Sequence, residues 1–277
     1  MKFALIGASG YIAPRHMRAI KETGNELVSA LDKSDSVGII DSYFPDASFF
    51  TEPERFDRHI YRNKVDYVSI CSPNYLHDAH IRMALRNGAD VICEKPIVLN
   101  PRNLDALQEI ELQTGQKVWC ILQLRLHKSI IELKKSLDPE RTYEVQLDYV
   151  TPRGKWYMYS WKNQIEKSGG LAMNIGVHFF DVLGYLFGDY LDGGVSFSEN
   201  NLVIGNLKYK RARVYFGLSI SRDNLPAQRK LTIDGEEVDF SDGFTDLHTK
   251  SYQEILDGKG FGLDQARQSI EIVNSLR

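Results

Sequence analysis

The chain has 277 residues, with 34 Lys+Arg against 37 Asp+Glu, a formal net charge of −3. Hydrophobic residues at 43% and charged residues at 26% form an ordinary globular mix, enough for one large core or two modest ones, which excludes a disordered chain. The near-neutral balance lacks the basic field that a general nucleic-acid or membrane-surface binder needs.

Lys2–Ile6 is an apolar run that stops at a glycine, and Ile12–Glu22 follows with helical spacing, Ile12, His16, Ala19 and Ile20 near one face. Glu26–Leu31 reads as a second strand ending at Asp32. Asp66–Ser72, Asp90–Cys93 and Lys117–Leu122 read as further strands, separated by helices predicted over His77–Asn87 and Asn103–Thr114. Strands alternating with helices imply right-handed crossovers and a parallel sheet covered on both faces. The rhythm changes after residue 123. Lys128–Leu137 reads as a helix and Thr142–Val150 as a half-exposed antiparallel strand. Leu202–Lys208 and Arg211–Ser219 pair around a turn. Lys230–Ile233 and Glu237–Phe240 form a hairpin on Asp234-Gly235, and helices over Asp246–Leu256 and Asp264–Leu276 close the chain. The predicted organisation is an α/β domain over 1–122 and an α+β domain over 123–277 built on an open, mainly antiparallel sheet.

Cys71, Cys93 and Cys120 are odd in number and end apolar runs, so they read as buried free thiols in a reducing compartment, and the chain as cytoplasmic. No apolar stretch is read as reaching the roughly 18 residues that span a bilayer, and Met1–Gly7 is too short for the apolar region of a signal peptide.

Chemistry concentrates at the strand ends. The first turn, Gly7-Ala8-Ser9-Gly10-Tyr11-Ile12-Ala13, links a strand to a helix, where glycine lets the backbone approach a pyrophosphate seated on the helix N-terminus. Its G-x-x-G-x-x-A spacing departs from G-x-G-x-x-G. Asp32, 25 residues after Gly7, supplies a carboxylate for the ribose hydroxyls and repels a 2′-phosphate, favouring NAD over NADP, although Lys33 tempers that. The third strand runs into Ser72-Pro73-Asn74-Tyr75-Leu76-His77, at the sheet edge where ligands sit, so Asn74 and His77 are cofactor candidates; His77 is equally a residue packed in a loop. Glu94-Lys95-Pro96 ends the next strand. Lys95 is an acid/base candidate, and the tripeptide is alternatively a charged loop.

In the second half, Asn174-Ile175-Gly176-Val177-His178-Phe179-Phe180-Asp181 sets Asn174 and His178 one helical turn apart. An imidazole can take a hydroxyl proton as hydride leaves the same carbon, but the apolar neighbours equally suit a core histidine. Arg153 and Lys155 open an aromatic-rich stretch through Lys162 that offers cations for a phosphate or carboxylate. Arg125 and His127 fall at the domain junction, where each is alternatively a structural residue. No C-x-x-C pair, H-E-x-x-H, G-x-S-x-G elbow or P-loop is present, so no metal is expected.

Together, the glycine turn, SPNYLH, EKP and the N-x-x-x-H segment resemble the Gfo/Idh/MocA oxidoreductase family over essentially the whole chain. GASGYIAPRHMRAI, DYVSICSPNYLH, DVICEKP, ILQLR, NIGVHFFD and GFTDLHTKSY are similar to its UDP-N-acetylglucosaminuronate 3-dehydrogenases of surface-polysaccharide (O-antigen) biosynthesis. The resemblance implies NAD-dependent oxidation of the C3 hydroxyl of a UDP-sugar, re-oxidation of the cofactor by 2-oxoglutarate, and a homo-oligomer, dimer or tetramer. It implies Lys95 and His178 as catalytic residues, and often a cis peptide before the proline of EKP. It places Gly7, Gly10, Asp32, Asn74 and His77 at cofactor-contact positions, beside which Tyr11, Ile12, Ser72, Glu94 and Lys95 are further cofactor candidates. Lys95, Asn174 and His178 are the substrate candidates. Arg125, Arg153 and Lys155 match no motif of the family and are read from their chemistry as cations for the substrate. Asn174 stands where many members have Asp and can orient but not exchange a proton. The segments 57–64 and 223–229 read as loops shorter than in that subfamily. Other readings are a relative acting on another nucleotide sugar or a free sugar, or a non-catalytic NAD-binding protein on the same fold.

Overall fold

The computed structural model describes residues 1–221, 227–238 and 245–277. The first part of the chain runs β1 (Lys2–Ile6), α1 (Ala13–Glu22), β2 (Glu26–Leu31), β3 (Ser48–Phe50), α2 (Pro53–Asn63), β4 (Tyr67–Ile70), α3 (His77–Arg86), β5 (Asp90–Cys93), α4 (Pro101–Thr114) and β6 (Val118–Cys120). It continues with α5 (Lys128–Ser136), β7 (Tyr143–Val150), α6 (Trp156–Tyr159), α7 (Ile165–Ser168), α8 (Val177–Phe187), β8 (Tyr190–Glu199), β9 (Leu202–Tyr209) and β10 (Ala212–Ser219). The last elements are β11 (Gln228–Ile233), β12 (Glu236–Val238), α9 (Leu247–Leu256) and α10 (Leu263–Ser275).

Two compact units emerge. One comprises residues 1–98, 102–123 and 245–266; the other comprises 99–101, 124–244 and 267–277. A single cut after residue 122 therefore misplaces 245–266. Those residues return to the first unit because Tyr252 and Ile255 on α9 are buried in its core with Phe3, Met17 and Ile20. The Cys120 amide also donates to the Phe261 carbonyl at 2.7 Å, binding the returning chain beside β6.

The first unit is a parallel sheet of order β3-β2-β1-β4-β5-β6, a Rossmann arrangement. Both faces of its central strands are covered, so Phe3–Ile6 and Val91–Cys93 are continuous buried runs rather than alternating ones. The stretch 33–65 has weak periodicity and was not resolved into elements by pattern. It holds β3 and α2, and residues 57–63 are helix rather than the short loop expected there. The loop at 223–229 lies mostly outside the described residues, as do Asp239 and Phe240 of the expected hairpin and Gly243 and Phe244 of GFTDLHTKSY.

The second unit carries a sheet of order β12-β11-β7-β10-β9-β8. It is mainly antiparallel, with one exception: β7 pairs antiparallel with β11 but parallel with β10, Val145 opposite Val214. Alternating burial reports which face of a strand is covered, not the direction of its neighbour. One face packs on α8, where Phe180 meets Phe216 edge-on at 5.2 Å. The other face leaves Ile204 at 41% and Tyr215 at 55% exposure. β8 was not anticipated; its Gly193-Gly194 pair and polar residues hide the strand signal.

The run Ile165–Phe187 corrects another expectation. It is 23 residues long, and an 18-residue window within it has mean hydropathy 1.3, enough by length and composition to cross a bilayer. However, Gly169 and Gly170 interrupt it with left-handed φ of 84° and 82°, and most of its apolar window is buried inside the unit. It is the core helix of this unit.

Candidate active site

β1 ends in the glycine turn. Gly7 has φ 88°, and a Cβ there would lie 2.6 Å from the Cys71 carbonyl carbon, so only glycine fits between β1 and the end of β4. The Gly7 amide donates to the Leu31 carbonyl at 2.8 Å, and Gly10 closes the turn by donating to Gly7 at 3.0 Å. No side chain caps α1, and its first turn holds no acidic group, leaving the electropositive helix start for an anion. Tyr11 is 86% exposed at the tip of the turn. The Asp32 carboxylate accepts from the Ser9 amide on one oxygen and the Ser34 amide on the other, both at 2.9 Å. Each oxygen keeps lone-pair capacity for a ribose hydroxyl. The donor set, an uncapped glycine turn with a fixed carboxylate at the next strand end, fits NAD.

The SPNYLH segment is more internal than expected. Asn74 and Ser72 are buried, and His77 is only 1% exposed. Both His77 ring nitrogens lie 2.7 Å from carbonyl oxygens, Nδ1 at Pro96 and Nε2 at Ser72. Burial pushes the His77 pKa down, while the two carbonyls, which are both satisfied only when both ring nitrogens carry N–H, pull it back. The ring thus clamps the end of β4 to the loop after β5, in place of an outward contact. Ser72 Oγ lies 2.9 Å from His80 Nδ1.

Burial, with His77 nearby, lowers the His80 pKa to about 4. The unfolded chain binds this proton near pH 6.5, before the folded one does, so stability falls as pH drops from about 6.5 towards 4. His80→Asn should flatten that part of a Tm-against-pH curve. An unchanged slope would show that His80 does not carry it.

β5 delivers Glu94, Lys95 and Pro96, with a cis peptide between Lys95 and Pro96. Glu94 is buried. Its Oε1 accepts from His16 Nε2 at 3.0 Å and from His248 Nε2 at 2.9 Å. These two donors hold the carboxyl well below the usual carboxylate range against the opposing effect of burial. The Glu94 side chain therefore faces the interior, whereas Lys95 is half-buried. Sequence reading named Glu94 but missed His16 and His248. The only signals were a histidine on the apolar face of α1 and the stretch DLHTKSY. Cys71 and Cys93 are held well above the usual thiol range by burial, so they remain unreactive thiols.

In the second unit, residues 172–176 form a π-helical turn that leads into α8. The turn widens the helix just where Asn174 sits, so its amide donates to the Tyr157 hydroxyl at 3.2 Å. His178 is half-buried on the first turn of α8. Tyr157, which sequence reading passed over within the aromatic stretch, is buried, and burial raises its pKa.

Two nitrogens of Arg125 grip Asp181: Nε to Oδ2 at 2.9 Å and Nη2 to Oδ1 at 2.6 Å. The fork that was expected to meet substrate is thus engaged with the buried Asp181 carboxylate. Arg153 and Lys155 are exposed near Lys162, whose ammonium lies 5.4 Å and 5.6 Å from the Trp156 and Trp161 rings. Burial and the Arg153 charge lower the Lys162 pKa.

Residues 1–121 match the GFO_IDH_MocA model described as an oxidoreductase family with an NAD-binding Rossmann fold, and residues 139–192 match its C-terminal alpha/beta domain. The structure is similar to the WlbA (WbpB) dehydrogenase of Thermus thermophilus solved with NAD and alpha-ketoglutarate. The two are 49% identical over 99% of this chain and 93% of that one, with a TM-score of 0.95. The same Thermus enzyme solved with NAD and UDP-GlcNAcA gives 48% identity over the same shares and a TM-score of 0.94. Among curated relatives, the inositol 2-dehydrogenase of Rhizobium meliloti is 26% identical over 68% of this chain and 56% of its own length. The chain spans about half the length of the curated relatives it matches.

Proposed function

The chain belongs to the Gfo/Idh/MocA oxidoreductase family, and from that premise we propose that it is an NAD-dependent dehydrogenase that oxidises the C3 hydroxyl of UDP-GlcNAcA to the 3-keto sugar in surface-polysaccharide biosynthesis. The observation that carries the reading is the near-full-length similarity, at 48% identity, to a dehydrogenase solved with both NAD and this nucleotide sugar.

When bound, NAD supplies the hydride acceptor. Gly7, Gly10, Tyr11 and Ile12 would form the turn that receives its pyrophosphate, and Asp32 would bind its ribose hydroxyls. Ser72 and Asn74 would line the strand end nearby. Lys95 Nζ and the His178 imidazole are the two groups that would manage the hydroxyl proton, one accepting it and the other stabilising the charge that develops on oxygen. Asn174 would orient substrate with Tyr157 behind it. Arg153 and Lys155 remain the cations for the acidic groups of the substrate, whereas Arg125 would contribute through the structure it holds. Re-oxidation by 2-oxoglutarate is part of the proposal, supported by the alpha-ketoglutarate complex of the Thermus relative. So are a cytoplasmic location and a homo-oligomer formed through the open sheet face that exposes Ile204 and Tyr215.

Mass spectrometry of UDP-GlcNAcA after incubation with the protein, NAD and 2-oxoglutarate should reveal a product lighter by two hydrogens. Unchanged sugar in the presence of bound NAD would redirect the assignment to another sugar substrate within the family.

A further inference from the structure

We propose that Glu94 is a positioning residue for Lys95, and that His16 and His248, with Tyr252 and Ser69 behind them, hold it in place. The inference rests on the reading of Lys95 as an acid/base group.

The cluster lies wholly within the first unit and joins four elements: α1 through His16, β4 through Ser69, the end of β5 through Glu94, and α9 through His248 and Tyr252. Its distances are those of ordinary hydrogen bonds: 2.6 Å from Ser69 Oγ to the Tyr252 hydroxyl, 2.8 Å from that hydroxyl to His16 Nδ1, then 3.0 Å and 2.9 Å to Glu94 Oε1. With Glu94 ionised, the chain of donors is consistent: Ser69 donates to Tyr252, Tyr252 donates to His16 Nδ1, and both histidines donate from Nε2 to Glu94. Burial lowers the His16 pKa, which agrees with a neutral ring.

His16, Glu94 and His248 also place three metal-capable atoms within 4.8 Å of one another. The proton arrangement closes without an ion, however, because both imidazole N–H groups point their bonds at the same carboxylate oxygen.

The consequence for Lys95 follows from chain connectivity. On its N-terminal side the Glu94 side chain is tied to α1 and α9. On its C-terminal side the Pro96 carbonyl is held by His77 at 2.7 Å. Lys95 is thus fixed between two anchored neighbours, which is how a flexible side chain is kept in register with a reacting hydroxyl. A buried ionised group with several polar partners is weak evidence for stability, since an apolar cluster of the same shape serves that purpose as well. Its distinctive effect is fixed geometry.

The test uses two substitutions in the full chain with NAD bound. His248→Gln keeps an N–H donor for Glu94, and His248→Leu removes it. Both are assayed below their melting temperatures. His248→Leu should lower kcat by about 10–100-fold with little change in KM, and His248→Gln should recover most of that loss. Trace acetylation of Lys95, measured against the exposed Lys2, gives a readout that needs no substrate. Its relative rate should change in His248→Leu and stay near wild type in His248→Gln. Unchanged Lys95 labelling in His248→Leu, equal impairment of the two variants, or a stoichiometric divalent metal in the wild-type protein would each overturn the proposal. If the wild-type protein fails to oxidise the UDP-sugar but the labelling shift appears, the substrate assignment falls and the positioning role stands.

Discussion

Lys95→Met is expected to reduce kcat by about 10²–10⁴-fold while the protein still binds NAD, because the substitution keeps the aliphatic stem and removes the group that exchanges a proton. That range corresponds to about 3–5 kcal/mol of transition-state stabilisation. The glycine turn and Asp32, where the pyrophosphate and adenine ribose are proposed to lie, are left untouched. His178→Asn supplies the companion measurement: it retains a polar side chain of similar reach but loses the titrating ring. Initial rates with UDP-GlcNAcA, together with a direct binding titration of NAD, separate chemistry from cofactor affinity. Wild-type turnover in both variants would remove these residues from the acid/base assignment. A large loss in only one would identify which group manages the proton.

The second large effect concerns stability. Arg125→Ala leaves the Asp181 carboxylate buried without its bidentate partner, and breaking a buried pair from one side typically costs about 3–5 kcal/mol. On the size scaling of thermal unfolding, this is a fall in Tm of roughly 6–20 °C. The pH dependence has a definite sign. Burial raises the Asp181 pKa above its ordinary value even with Arg125 opposing it, so the stability this group contributes is present in acid and lost as pH rises through the folded pKa. Without Arg125 the folded pKa moves further up. The deficit of the variant relative to wild type should therefore shrink as pH is lowered from 7 towards 5. A deficit that widens in acid would contradict this account. The double variant with Asp181→Asn should regain part of the loss, because a neutral amide is less costly to bury than an unpaired charge.

Much of the Rossmann unit was legible because its strands are short buried runs, each ending in a residue with chemical meaning. Lys2–Ile6 stops at Gly7, Glu26–Leu31 at Asp32, and Asp90–Cys93 at Glu94. Local pattern and local chemistry coincide there. The misses share one physical cause, that the deciding interaction comes from far along the chain. For His77 the sequence left a cofactor contact and a packed position equally open, and only the fold brings Pro96 to its Nδ1. Arg125 looked like a substrate ligand until Asp181, 56 residues later, was found to occupy its fork. Likewise Glu94 offered no hint of His248, 154 residues away. The parallel pairing of β7 with β10 was hidden for a related reason, since alternation is a property of one strand and direction is a property of two.

The return of residues 245–266 to the first unit also bears on the order in which the molecule is made. The hydrogen bonds from Tyr252 to Ser69 and to His16 span 183 and 236 residues of chain. A ribosome therefore releases β1 to β6 long before α9 exists to cover them. During that interval Phe3, Met17 and Ile20 lack the aromatic ring and the isoleucine that complete their packing, and Glu94 lacks one of its two donors. Domains are generally expected to fold in the order of synthesis. Here the half that is translated first is the half that must wait, and closure of the nucleotide-binding core is tied to a segment made only after β7 to β12 of the second unit.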